Sequence, residues 1–497
     1  MDLEESLQKY FGFSSFRGNQ KEVITSILAG IDVLTLMSTG GGKSLCYQLP
    51  ALLIPGVTIV VSPLISLMED QVSHLQLRNI SATWITHLLT PNETRSRLER
   101  LATNHYKLLY VSPERLQNSS FRASLRTIPI SLVVVDEAHC ISEWGHDFRP
   151  EYRRISLFLS HFSQRPVVAA FTATATIEVA DDIITQLSLE KPKVFHTSVT
   201  RTNLSLHVVP CLKVHDKWLH LLRILRAYSG KSGIIYTATR ENARSLAMQL
   251  QCLASQLREF SWLRAGYYHA GLPDESRRAT QKEFQTGNFN VLCATNAFGM
   301  GIDKGDIRFV VHLEHPNSIE SYYQQVGRAG RDGSQSAAFL LFHNNDYLLH
   351  LEMIKKQHSL QAQRRNISRL RVMIDFCERR VCRMQQITSY FGENTGPCQM
   401  CDSCRKINNL HPYLQSPLSL TELGTIHSLT KNTLQKKNEH FEHVTDFQMV
   451  AAGCLRPTIL EDWQHIPGCG KGWRKEYERQ LSIRKRDARF DFAGANR

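Results

Sequence analysis

The sequence predicts an α/β fold of two stacked lobes, each built on a parallel sheet. Three observations carry this. Short apolar runs alternate with helix-like stretches from residue 1 to about 340, the pattern of strands joined by crossover helices. Gly-rich and acidic segments directly follow some of those runs, at the strand ends where open α/β sheets hold ligands. The runs fall into two groups separated by Thr197–Lys217, which sets the lobes at about 1–200 and 201–340.

Ile31–Met37 is an apolar run that reads as a strand. It leads into Thr39-Gly40-Gly41-Gly42-Lys43-Ser44. Glycines here can take positive φ and let backbone N–H groups approach an anion. Lys43 offers a point charge to the β- and γ-phosphates of ATP, and Ser44 a hydroxyl to Mg²⁺. The stretch Leu45–Leu53 predicts a helix whose N-terminal dipole favours phosphate. Met37 stands where the full pattern has its first Gly, and a Gly-rich turn with an incidental lysine is the bland alternative.

Val57–Val61, Lys107–Val111, Val133–Val135 and Val167–Phe171 are the further strands of the first lobe. Asp136-Glu137-Ala138-His139 follows the run Leu132–Val135. Two acids after a fully apolar run are costly unless metal or cations meet them. Asp136 suits Mg²⁺, directly or through water, and Glu137 suits polarising the attacking water. Phosphoryl transfer needs positioning and charge neutralisation, so loop and acids together form a minimal apparatus for splitting ATP. Gly233–Tyr236, Asn290–Ala294 and Phe309–His312 are the strands of the second lobe.

The 497 residues are 42% hydrophobic and 21% charged, enough for two or three domains with cores of their own. Net charge is +13 and the pI about 9.2. Such proteins often meet phosphate backbones, although solubility alone accounts for the charge equally well. Met1-Asp2-Leu3-Glu4-Glu5 is acidic and polar, unlike a secretory signal. No apolar run approaches the ~20 residues of a membrane span, so no membrane partner is expected. Most of the twelve cysteines are scattered singly, which fits a reducing compartment.

Directly after the acids comes Cys140-Ile141-Ser142-Glu143-Trp144-Gly145-His146-Asp147-Phe148-Arg149-Pro150-Glu151-Tyr152. Trp144 and Phe148 put flat faces on a polar loop, where bases can stack at about 1–3 kcal/mol each. Burial of either ring as a core anchor is the alternative. Other segments stand out as well: Phe11–Gln20, Ser62-Pro63-Leu64, Ser112-Pro113-Glu114-Arg115, Thr172–Thr176, Tyr268–Leu272, Ala294–Lys304 and Tyr322–Gly333. Together these residues resemble the RecQ family of superfamily 2 helicases, over about residues 1–404. The resemblance implies two RecA-like lobes and a DNA helicase driven by ATP, with Mg²⁺ and Zn²⁺ as further cofactors. It implies 3′ to 5′ movement on single-stranded DNA and unwinding of tailed duplexes in repair and recombination. Single-strand-binding or recombination proteins would be its partners, in the bacterial nucleoid or a eukaryotic nucleus.

By the same resemblance Phe13 and Arg17 flank the adenine and Gln20 contacts its edge. Trp144, Phe148, Arg149, Ser62 and Thr172 serve the DNA. Arg328 and Arg331 are three residues apart, so on a helix they would point the same way. Aimed at the γ-phosphate from the second lobe, they would make hydrolysis depend on lobe closure. The family usually has Gln where Glu143 stands and often Glu where Gln325 stands. Two other functions remain open. One is an RNA-directed DEAH-type ATPase; the other is an ATP-driven DNA remodelling or annealing factor without strong unwinding.

Cys398, Cys401 and Cys404 are spaced CxxCxxC, and Cys382 lies upstream. Four thiolates suit structural Zn²⁺ in a helical module at 341–410. The resemblance supports this set over the rival Cys377, read as helix core; an iron–sulfur cluster is the chemical alternative. Residues 411–497 form a small C-terminal region. Its Ile466-Pro467-Gly468-Cys469-Gly470-Lys471 resembles the end of a helicase-and-RNase-D C-terminal domain, with Lys471, Arg474 and Lys475 able to meet phosphate. An ordinary helix–helix turn is the alternative.

Overall fold

The computed structural model describes residues 2–405, apart from 39, 146, 213, 300–303 and 358. The C-terminal region at 411–497 lies outside the described residues. The first sheet contains β1 (Val33–Leu36), β2 (Val57–Val61), β3 (Ala82–Ile85), β4 (Leu108–Val111), β5 (Ile130–Val135), β6 (Val167–Thr172) and β7 (Lys193–His196). Their order is β3-β4-β2-β5-β6-β1-β7, and every pairing is parallel. The second sheet contains β8 (Leu204–Pro210), β9 (Ser232–Tyr236), β10 (Ala265–Tyr268), β11 (Val291–Ala294), β12 (Ile307–His312) and β13 (Ser336–Phe342). Its order is β10-β11-β9-β12-β13-β8, again all parallel.

The central strands β1, β2 and β4 are buried at every residue. Helices therefore cover both faces, which is why these strands read as unbroken apolar runs. Separate cores line the two faces of each sheet. β8 falls inside the stretch expected to part the lobes, and it pairs with β13 from Leu204 to Pro210.

Helices Asp346–Lys355, Leu360–Glu378 and Arg383–Tyr390 follow the second sheet. Met373, Phe376, Met384, Ile387, Phe391 and Cys401 share one core with Tyr236, Tyr322 and Leu340 of the second lobe. The cysteine module is thus packed onto that lobe. Asp402 reinforces the junction: its N–H donates to Leu206 O (3.2 Å), and its carboxylate takes the Arg383 guanidinium (3.0 Å).

Candidate active site and nucleic-acid interface

β5, β6 and β1 are adjacent in the first sheet. The segments at their C-terminal ends therefore converge: the acids after β5, Thr172–Thr176 after β6 and the phosphate loop after β1. Gly40 and Gly42 take φ of 83° and 81°, which suits glycine and few other residues. A Cβ on Gly42 would lie 2.4 Å from Gln20 Nε2. Gln20 is buried, and its amide is engaged at both ends. Nε2 donates to Gly41 O (3.1 Å) and Gly42 O (3.4 Å), while Oε1 accepts from Arg17 N (2.9 Å). The residue expected to read adenine thus also ties down the phosphate loop, and a contact to a base would exchange these bonds. Phe13 and Arg17 are exposed. Lys43 and Ser44 open the helix Lys43–Leu53; Thr39 lies outside the described residues.

Asp136 is buried at the end of β5, where its N–H donates to Val61 O (2.9 Å) and its carbonyl accepts from Tyr152 Oη (3.0 Å). Burial and then the charge of Glu137 push its carboxyl up to about 7, against the pull of Lys43. Glu137 sits at φ 48°. That left-handed conformation costs a non-glycine residue about 1–2 kcal/mol and is typical of strained functional positions. Glu137 Oε2 lies 3.3 Å from His139 Nδ1 and accepts no hydrogen bond among the described residues. His139 Nδ1 is 3.0 Å from Thr172 Oγ1, which also accepts from Thr174 N (3.3 Å). Thr174 Oγ1 in turn accepts from Gln324 Nε2 of the second lobe (3.1 Å). A continuous line of polar contacts thus joins the acid to the opposite lobe. Sequence reasoning gave no role to His139 or Gln324, because only the fold brings these separate segments together.

Arg328 and Arg331 are not on a helix, contrary to the reading of their spacing. The helix Ile319–Val326 ends before them, and they occupy the turns that follow. Gly330, at φ 62°, donates to Ile307 O (2.9 Å), and its carbonyl accepts from Arg201 Nη2 (2.9 Å) and Asn203 Nδ2 (2.8 Å). This anchored turn, not helical periodicity, aims the pair. Arg328 is only 5% exposed, and its Nε has no partner among the described residues. Burial pushes its guanidinium pKa down, against the opposing influence of the Tyr236 hydroxyl, to which it hydrogen-bonds, and of the Glu137 charge. The Cγ of Arg331 lies 3.5 Å from where a Cβ on Gly40 would stand. Arg331 therefore stands against the first lobe, while Arg328 lies beside Gly299 and Tyr236 of its own lobe and feels the charge of Glu137 across the cleft. The glycine cradle and the unpartnered Arg328 Nε suit a phosphate-bearing ligand, and Ser44 and Asp136 are the residues that would hold its cation.

The aromatic loop begins where the acids end. A Cβ on Gly145 would lie 2.3 Å from His139 O, so glycine is required where the loop crosses the acidic segment. Trp144 is 54% exposed. Phe148 is half-buried beneath the Arg153 guanidinium (5.1 Å). Arg149 Nη1 donates to Pro63 O (3.1 Å), which ties the loop to the segment after β2. Ser62 and Thr172, expected on the DNA track, are buried, and Thr172 Oγ1 is occupied by His139. Their side chains are covered, Ser62 directly after β2 and Thr172 at the end of β6.

The Sγ atoms of Cys382, Cys398, Cys401 and Cys404 all lie within 4.8 Å of one another. Tetrahedral Zn²⁺ with bonds of about 2.3 Å separates its sulfurs by roughly 3.8 Å, so the four fit. Backbone N–H groups of Cys398, Arg383 and Cys404 donate to Sγ of Cys382, Cys401 and Cys401 respectively (3.2, 3.4 and 3.4 Å). Such bonds orient and stabilise thiolate ligands. Cys377 is buried in the core and outside this group.

Three family models match the chain: DEAD/DEAH box helicase at residues 17–183, helicase conserved C-terminal domain at 216–333 and RecQ zinc-binding at 344–405. The ATP-dependent DNA helicase RecQ of Bacillus subtilis (strain 168) is 42% identical over 407 residues, covering 82% of this chain and 67% of that protein. The probable ATP-dependent DNA helicase RecS of the same organism is 36% identical over 462 residues, covering 92% and 88%. The chain spans 61% and 62% of two other bacterial RecQ proteins. Among solved structures, Mycobacterium smegmatis helicase Lhr bound to ssDNA and AMP-PNP shares the fold, with TM-score 0.58 and 20% identity over 73% of this chain and 50% of that one. On its cleft, its four-cysteine cluster and these relatives, the chain belongs to the RecQ family of ATP-hydrolysing helicases.

Proposed function

We propose that the chain moves 3′ to 5′ along single-stranded DNA and separates tailed duplexes, in the service of repair and recombination. The observation that supports the motor is the approach of Arg331 to the phosphate loop and the charge of Glu137 acting on Arg328 across the two lobes, beside an aromatic loop that starts at the same acids; polarity and pathway are carried over from the family resemblance. Lys43 and the loop N–H groups hold the triphosphate, with Phe13, Arg17 and Gln20 on the base. Ser44 and Asp136 hold Mg²⁺, which supplies charge neutralisation when bound. Glu137 orients the attacking water, and the arginine pair neutralises charge that develops in the transition state. Closure sets the arginines in place and reopening withdraws them, so each hydrolysis shifts one lobe against the other. Trp144 and Phe148 present stacking faces to the strand, and the four cysteines hold Zn²⁺ as a structural ion. No helix among the described residues is long and apolar enough to cross a membrane.

Strand displacement on 3′-tailed and 5′-tailed duplexes, alongside ATPase stimulation by single-stranded DNA and by RNA, tests this reading. Displacement of the 3′-tailed substrate with preferential stimulation by DNA supports it. Stimulation mainly by RNA overturns the DNA assignment, and DNA-stimulated turnover without displacement points to a remodelling factor.

A further inference from the structure

The aromatic loop is held from outside its own lobe. Glu143 pairs with Arg153 (2.9 Å) and with Arg365 (3.2 Å) of the helix Leu360–Glu378. The Arg365 guanidinium also lies over the Trp144 ring, 5.7 Å from its centroid. One helical turn on, Arg369 Nη2 donates to the carbonyls of Trp144 and Gly145, the latter at 2.9 Å. The cysteine-bearing module thus grips the loop through a carboxylate, a ring face and two carbonyls. That module is packed into the core of the second lobe, while the loop is continuous with Asp136 and Glu137 of the first.

We propose that Arg365 and Arg369 are positioning residues for DNA sensing: they hold the Trp144 ring outward and tie its orientation to the second lobe. The inference rests on the proposed role of the loop. Glu143 matters to it because a carboxylate accepts from Arg153 and Arg365 at once, with charge that an amide lacks. A cation held over a tryptophan face at a partly exposed site restricts the ring without burying it. Rotation of the lobes would move the helix Leu360–Glu378 and so shift the ring. Conversely, a base stacking on Trp144 would act on the lobe interface through the same grip.

The test is a double-mutant cycle on the full chain with Trp144→Ala, Arg365→Ala and the double variant. It reads the concentration of single-stranded oligonucleotide that half-maximally stimulates ATP hydrolysis. Trp144→Ala and Arg365→Ala are each expected to raise that concentration about fivefold, the size of a stacking or cation–π contribution. The double variant should be no worse than Trp144→Ala alone, since Arg365 acts through the ring. Arg365→Lys should recover part of the response, with unchanged thermal midpoints excluding a folding defect. Multiplying losses, near twenty-fivefold, with a shallower salt dependence would show that Arg365 contacts phosphate directly and would overturn the inference. A response to Trp144→Ala but none to Arg365→Ala removes the inference and leaves the loop's role standing. No response to Trp144→Ala removes both.

Discussion

Removal of Arg328 separates catalysis from folding more cleanly than any other change at the cleft. Its guanidinium is 5% exposed, is desolvated enough to lower its pKa, and leaves Nε without a partner among the described residues. A buried cation in that condition contributes little to stability and can oppose it. The carboxylate charge acting on it is that of Glu137 in the other lobe, beside a hydrogen bond to Tyr236, and a nucleotide's γ-phosphate would supply a partner for Nε. Arginines that meet developing charge in phosphoryl transfer contribute on the order of 10³–10⁵ in kcat, or about 4–7 kcal/mol. With Arg331 retained, Arg328→Ala should sit at the low end, a fall of about 10³ in DNA-stimulated kcat. The thermal midpoint without nucleotide should stay the same or rise slightly. Steady-state ATPase at saturating DNA, with calorimetry, reads both quantities. A kcat within tenfold of the parent, or a lowered midpoint explaining the loss, refutes the cross-lobe role.

Lys43→Ala should abolish hydrolysis while DNA binding, followed by fluorescence anisotropy, stays largely intact; wild-type turnover would show the loop to be misread. Lys217→Met should destabilise the second lobe by about 3–5 kcal/mol in denaturant titration, because it strands the buried Asp346 carboxylate it now meets at 2.7 Å; Lys217→Met with Asp346→Leu should restore much of that. One zinc per chain should be found by elemental analysis, and chelation should lower the thermal midpoint because Cys401 belongs to the second-lobe core; a visible-absorbing cluster would indicate iron–sulfur instead. Burial lowers His312 and His315 from 6.5 to about 4. Below 6.5 the unfolded chain binds protons that the folded one does not, so stability should fall from pH 6.5 to 4, by up to about 3 kcal/mol per histidine; calorimetry of His315→Gln should show a shallower slope.

The phosphate loop, the acids, the aromatic loop and the CxxCxxC triplet were all legible in the chain, because each concentrates its chemistry within about a dozen consecutive residues; Cys382, sixteen residues before Cys398, was chosen through the family resemblance. So were β1, β2, β4, β5, β6, β9, β11 and β12, central strands covered on both faces and therefore written as apolar runs. The strands that escaped the pattern include the four sheet edges, β3, β7, β8 and β10. An edge keeps one side open and tolerates exposed polar residues such as Lys193 and His196. β13 escaped too, although central, because its Ser336-Ala337-Ala338 opening is weakly apolar.

The amino-acid order alone determined which groups this protein carries for phosphate, metal and bases. Local chemistry needs only neighbours along the chain. Tertiary structure decided how those groups are aimed. The arginine pair is set by the Gly330 turn and not by a helix; Gln20 holds the loop it was expected to accompany; Ser62 and Thr172 are buried; and Glu137 reaches Gln324 through His139, Thr172 and Thr174. Each of these depends on contacts between residues far apart in the chain. Such contacts exist only once two sheets have folded and faced one another.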